Sequence, residues 1–265
     1  MAQRSISRRF RRPAIVAVVV LLAVIAITAY YWRAISPPEI VTRRIAFIID
    51  DLGYDPLPLE AIIALGHPLT VAVLPYCPHS AELAEKAHRA GLEVMLHLPM
   101  EPLDYPKKNP GDGALFTGMT NGDIRWQVAA DLAAVPHAAG VNNHMGSRFM
   151  EDRIKVKETF GVLKDRGLFF IDSCTTSHSQ GKSVADELDI PFAARDIFID
   201  NDENLAKTFQ ILTSVIDKRN WRSLIMIGHP HDTTIKALGE ALPFFKRAGI
   251  AVVPVSALIS CEEHQ

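Results

Sequence analysis

The stretch that decides the fold is Ile45-Ala46-Phe47-Ile48-Ile49-Asp50-Asp51-Leu52-Gly53. Five consecutive apolar residues predict a strand buried on both faces, the habit of parallel sheets covered by helices. The strand ends on two adjacent carboxylates and a glycine. Parallel strands gather their carboxyl ends at one mouth, and chemistry collects there. Two acids side by side at such an edge repel each other, so a cation or a shared proton must hold them. Taken alone, Asp51 would also serve as a helix cap after the strand.

Toward the carboxyl end, apolar runs at 69–74, 92–96, 140–142, 168–171, 192–194, 224–227 and 250–253 predict seven more strands. Helical periodicity falls between them at 58–65, 79–90, 153–166, 201–218 and 233–247, with another helix capped by Asn121 or Asp123 and reaching Ala134. Alternating strands and helices give an α/β fold, here a (β/α) barrel of seven or eight mostly parallel strands, closed or nearly closed. The alternative is a doubly wound open sheet. It loses ground because neither a Gly-x-Gly-x-x-Gly run after the first strand nor a Gly-x-x-x-x-Gly-Lys-Ser/Thr run occurs. Residues 102–119 form a long Pro- and Gly-rich loop, a length that compact domains usually keep for function.

Toward the amino end, five arginines (Arg4, Arg8, Arg9, Arg11 and Arg12) precede the uncharged residues 14–32. Nineteen residues at helical rise reach about 28 Å, close to the hydrocarbon thickness of a bilayer. The expected layout is a basic cytoplasmic segment 1–13, an uncleaved signal anchor 14–32, a stiff linker 33–43 around Ser36-Pro37-Pro38, and the barrel domain 44–262. The arginines would stay in the cytoplasm. The chain would be a single-pass protein of the inner membrane, with its barrel in the periplasm or outside the cell.

A net charge of −2 over 265 residues gives no reason to expect a nucleic-acid partner, and 48% hydrophobic residues supply a large core. The three cysteines (Cys77, Cys174 and Cys261) are too few and too scattered for a disulfide framework. The sequence leaves the oligomeric state open.

The predicted strand ends carry Asp50 and Asp51, His97 with Glu101, His144, Asp172, Arg195 with Asp196, and His229 with His231. Four of the ten histidines thus follow three strands. Imidazoles and carboxylates together suit zinc or another divalent transition metal. Each residue also has a plainer use. His97 could pack or cap, His144 could sit in a polar turn, and Glu101 could be a ligand, a supporting partner or a loop residue. His229 and His231 flank a proline, so at most one points inward. Asp172 and Arg195 could pair with each other.

These residues resemble the carbohydrate deacetylase superfamily, and within it the divergent polysaccharide deacetylases, over about residues 45–259. The likeness rests on Ile-Ile-Asp-Asp-Leu-Gly (48–53), His-Leu-Pro-Met-Glu (97–101), Asn-Asn-His-Met-Gly-Ser (142–147) and Gly-His-Pro-His (228–231) in combination. The resemblance implies a deacetylase-type barrel that removes acetyl from N-acetylated amino sugars of an envelope glycan. It casts Asp50 as general base, Asp51 as metal ligand, and His229 as general acid with His231 as substitute. The superfamily's usual His-Ser/Thr-x-x-His run is broken here, with Glu101 at the second histidine. A related group that acts on chitin oligosaccharides takes its third ligand after the fourth strand, which points to Asp51, His97 and His144 around zinc. Glu101 is then a replacement ligand, and Asp172 and Arg195 are supporting groups. A non-catalytic envelope protein, binding glycan or a protein partner through a degenerate barrel, is the main competing expectation. Hydrolysis of a phosphoester or glycosidic bond ranks below it, because only Arg148 and Arg195 are available for phosphate.

Overall fold

The computed structural model describes residues 43–218 and 220–259, together with Leu21, Leu22 and Ile25. The chain divides into two units, Met1–Val41 and Thr42–Gln265, and every element below belongs to the second. The expected anchor, 14–32, lies outside the described residues apart from Leu21, Leu22 and Ile25. Among the described residues no helix is long and apolar enough to cross a membrane.

The first strand, β1, runs Arg44–Leu52 and is followed by α1 (Leu57–Ala64), β2 (Thr70–Val73), α2 (Ser80–Arg89) and β3 (Glu93–Met100). Next come α3 (Asn121–Ala134), β4 (Ala138–Met145), a 3₁₀ turn (Phe149–Glu151), α4 (Arg153–Asp165), β5 (Phe169–Asp172) and α5 (Gly181–Leu188). The chain continues through β6 (Phe192–Ala194), β7 (Ile197–Phe198), α6 (Leu205–Ser214), β8 (Ser223–Gly228), α7 (Asp232–Arg247), β9 (Ala251–Val252) and α8 (Ser256–Ile259).

All nine strands among the described residues join one sheet in the order β6-β5-β4-β3-β2-β1-β8-β7, with β9 on β1. Every pairing is parallel. On one edge β1 follows β8 from Arg44↔Ser223 to Ile49↔Gly228. Its other edge is shared, with β9 taking Arg44 and Ile45 and β2 taking Ile48 onward. The sheet curls without closing, because β6 and β7 are its two ends. Where seven or eight strands were expected, the described residues hold nine. The extra one, β7, is two residues long and too short to leave a period in the sequence.

Strand alternation sorts the core into two layers. Ile45, Phe47 and Ile49 face the helices, with Leu96, Leu98, Val141, Phe170 and Met226 in the same cluster. Ala46 and Ile48 face the inside of the curl, where Ala72, Met95, Ile171, Ile225 and Ile227 join them. Extending that inner row past the apolar residues gives Asp50 on β1, His97 on β3, Asn142 and His144 on β4, and His229 after β8. Polar groups follow apolar ones along the same face.

Two helix starts differ from the expectation. Thr120, not Asn121 or Asp123, caps α3: its hydroxyl accepts from the Asp123 N–H at 3.2 Å, while the Asp123 carboxylate accepts back. The expected helix 201–218 is confined to Leu205–Ser214, because the Asn204 side chain accepts from Lys207 N–H and starts it there. Asn201 is thereby freed to line the cleft described next.

Candidate metal centre

A cleft of about 530 Å³ opens at the carboxyl ends of the strands, and Asp50, Asp51, His97, His144, Arg195 and His229 are among the residues lining it. A hollow of about 590 Å³ lies at the other end of the sheet, but Asp189 is the only ionisable residue among the described ones that line it. Size does not decide between them; the chemistry is all in the first.

Strict alternation would turn Asp51 away from Asp50. The register slips between Ile49 and Leu52, and Asp51 takes a left-handed φ of 57°. That local irregularity brings both carboxylates to the cleft. Met145 and Cys174, also left-handed at 55° and 53°, line it as well. Non-glycine residues in this region are strained, and such strain gathers at functional sites. Gly53 is required next to the pair. Its φ is 142°, and a Cβ there would stand 2.8 Å from Cys77 Cβ.

Three ligand-type atoms converge. Asp51 Oδ1 lies 3.1 Å from His97 Nε2 and 2.9 Å from His144 Nδ1, and the two ring nitrogens are 3.1 Å apart. Ligands held about 2.0–2.1 Å from a tetrahedral zinc stand roughly 3.3 Å from each other, so the spacing suits one ion. Asp51 Oδ1 is buried and has no hydrogen-bond partner. The orientation of His97 is fixed from behind. Asn142 Nδ2 donates to Asp50 Oδ1 at 2.8 Å, which leaves Asn142 Oδ1 to accept from His97 Nδ1 at 2.8 Å. The neutral His97 ring then presents a lone pair, not a proton, at Nε2. An orphaned carboxylate oxygen and a lone pair aimed at the same point are what a divalent cation would satisfy. Asp51, His97 and His144 form one of two metal-capable groups among the described residues; Asp200, His229 and His231 form the other.

The electrostatics agree. Burial raises the Asp50 carboxyl above the usual carboxylate range, and His97 and Asn142 only partly offset it. Burial also acts to raise Asp51, but the His144 and His97 imidazoles outweigh it and hold Asp51 far below that range. For His97 burial acts downward, yet Asp50 and then Asp51 push the ring up to about 9. In the absence of an ion the His97 ring holds the proton that a cation at this point would displace.

His229 carries the other function-bearing geometry. Its Nδ1 meets Asp200 Oδ1 at 3.2 Å, and its Nε2 lies 3.6 Å from Asp51 Oδ2. Asp200 Oδ2 also accepts from the His229 N–H at 2.6 Å and from Thr234 Oγ1 at 2.8 Å. Burial alone would lower the His229 pKa, but Asp200 and Asp51 raise it, and Asp200 is lowered in turn. Asp200 was not foreseen, since it follows the unforeseen β7.

The remaining candidates lie apart from this group. Glu101 Oε2 accepts from the Thr117 N–H and hydroxyl, each at 2.7 Å, and Oε1 faces Arg148 at 3.4 Å. Glu101 thus pins the long loop. Asp172 falls on the outer face by strand parity; it accepts from Cys174 N–H at 2.8 Å and Ser179 Oγ at 2.5 Å. It makes no ion pair with Arg195. His231 does not line the cleft and sits 3.7 Å from Glu203. Cys77 and Cys174 are free thiols.

The fold and site define a class: a curled parallel (β/α) sheet with an Asp-Asp pair and strand-end histidines at its mouth. The chain belongs to the divergent polysaccharide deacetylase family, whose model matches residues 47–259. It is 33% identical over 229 residues to the uncharacterised YibQ protein of Escherichia coli K12, covering 86% of this chain and 70% of that one. An uncharacterised Agrobacterium tumefaciens C58 protein of known crystal structure superposes with a TM-score of 0.77 at 25% identity, covering 82% of this chain and 89% of that one. A mutant of a CE4 family pseudoenzyme with restored enzymatic activity shares the fold, with a TM-score of 0.52, 13% identity, and coverage of 82% and 68%.

Proposed function

We propose that this protein is a metal-dependent hydrolase of the carbohydrate deacetylase type, acting on N-acetylated amino sugars of an envelope glycan. The observation that carries the reading is the convergence of Asp51 Oδ1, His97 Nε2 and His144 Nδ1 within 3.1 Å of one another around an unpartnered oxygen. These three residues would hold the ion, with zinc favoured by its taste for imidazole and carboxylate. Bound there, a divalent ion supplies Lewis acidity toward an amide carbonyl.

The chain's own residues do the rest. Asp50, its carboxyl raised by burial and steadied by Asn142, takes a proton from the attacking water. His229, steadied by Asp200, gives a proton to the departing sugar amine. The segment 14–32 tethers the domain to the inner membrane and places it in the periplasm or outside the cell.

Metal analysis of the purified protein, paired with a screen of acetylated amino sugars, tests the reading. One equivalent of divalent metal and acetate release are expected, and both should disappear in His97→Ala. Full activity in chelated enzyme would overturn it. Bound metal without acetate release from any glycan would favour the non-catalytic alternative.

A further inference from the structure

Among the described residues Arg195 is the one arginine that lines the cleft, and neither the metal group nor the His229–Asp200 pair uses it. It follows β6 with inward parity, since Ala193 packs on the inner cluster. Its Nε donates to Ser173 O at 2.9 Å, and Nη2 reaches Cys174 O at 3.5 Å. Its guanidinium carbon lies 5.1 Å from the centre of the Phe198 ring. These contacts fix the plane of the group and leave three of its five N–H donors without a described partner.

No described carboxylate lies within ion-pair distance of Arg195, although two acids are close in the fold. Asp196, next in sequence, turns its carboxylate to the Ile225 N–H at 2.7 Å. Asp172, on the neighbouring strand, is spent on Cys174 and Ser179. The fold therefore supplies acids nearby and commits each to other N–H or O–H donors. A permanent, half-buried cation remains in the lining of the same cleft as the reacting groups, pre-organised for a planar, bidentate anion.

Resting on the deacetylase reading, we propose that Arg195 determines specificity by anchoring a carboxylate of the substrate, so that the site prefers acidic N-acetylated glycans to neutral ones. The carboxylate could come from an ether-linked acid on the acetamido ring or from a uronic acid ring beside it. Both present the same group to the guanidinium.

The full-length protein, loaded with zinc, is assayed for acetate release on three oligosaccharides of equal length: neutral, ether-acid-bearing and uronate-bearing. Wild type is expected to favour one acidic series by about tenfold in kcat/KM, mainly through KM, the yield of one charge-assisted contact. Whichever series is favoured identifies the source. Arg195→Gln should erase the preference and leave the neutral substrate within about twofold, and Arg195→Lys should recover part of it.

Equal use of all three by wild type would overturn the proposal. So would a parallel fall on every substrate in Arg195→Gln, which would mean the guanidinium only braces the Ser173 and Cys174 carbonyls. If wild type hydrolyses none, the deacetylase reading fails by itself. Calorimetric binding of the same glycans then decides: acidic binding lost in Arg195→Gln supports the anchor, and equal or absent binding ends it.

Discussion

Two groups of one aspartate and two histidines stand at the same rim, and they differ in what their atoms still lack. In the Asp51–His97–His144 group the carboxylate oxygen has no hydrogen-bond partner, and the His97 ring is held so that its Nε2 faces inward, a lone pair once the ring is neutral. In the Asp200–His229–His231 group both carboxylate oxygens are satisfied, by the His229 ring and N–H and by Thr234. His231 leans toward Glu203. Proximity is common to both; unmet bonding capacity belongs to the first alone. One group keeps the bonding capacity an ion would take up; in the other the protein's own donors have already taken it.

The sharpest way to break that contrast is to cut one histidine from each group. His97→Ala should lose bound metal and more than about a thousandfold in deacetylation, the scale of a lost Lewis acid. His231→Ala should keep its metal and stay within about twofold. Metal retained in the first variant, or lost in the second, would reverse the assignment. Asp200→Asn separates the roles further: kcat should fall by about a hundredfold, the usual worth of a positioned proton donor, with metal content unchanged. Asn142→Ala should weaken metal affinity about tenfold to a hundredfold by freeing the His97 ring, as measured by competition with a chelator.

The smallest effect concerns Asp131, which shows that an orphan oxygen alone is not a metal centre. It is fully buried, its Oδ1 accepts from Gln127 at 2.8 Å, and its Oδ2 has no partner. No imidazole shares its site, and burial pushes its carboxyl up to about 7. The folded state then holds a proton that the unfolded chain, with a pKa near 4, gives up. Stability supplied by this group is present below about pH 4 and is lost as pH rises toward 7. Asp131→Asn should therefore flatten the denaturation midpoint across that window, with its advantage growing toward pH 8. An unchanged slope would mean Asp131 ionises normally.

Much of this was legible in the chain. The run 45–49 fixed a buried parallel strand, and the strand-end acids and histidines marked the mouth. What the strand-end reading lacked was parity. His97 and His144 lie inside β3 and β4, not after them, and counting by twos from Ala46, Met95, Ile171 and Ala193 would have put Asp172 outside and Arg195 inside. Asp51 breaks the count, because a left-handed residue in a strand leaves no periodic trace. Asp200 was hidden for a different reason: a two-residue strand is too short to announce itself, and pairing with His229 is a contact across 29 positions.

The two ends of the sheet, β6 and β7, do not pair with each other, yet only Arg195 and Asp196 separate them in the chain. Arg195 N–H bonds to Asp172 O and Asp196 N–H to Ile225 O, each at 2.9 Å, so one peptide step carries the main chain from the β5 flank to the β8 flank. The curl is thus stitched by a covalent thread where it is not zipped by a ladder. A shift of either flank would be felt at Arg195, whose place in the cleft is tied to both.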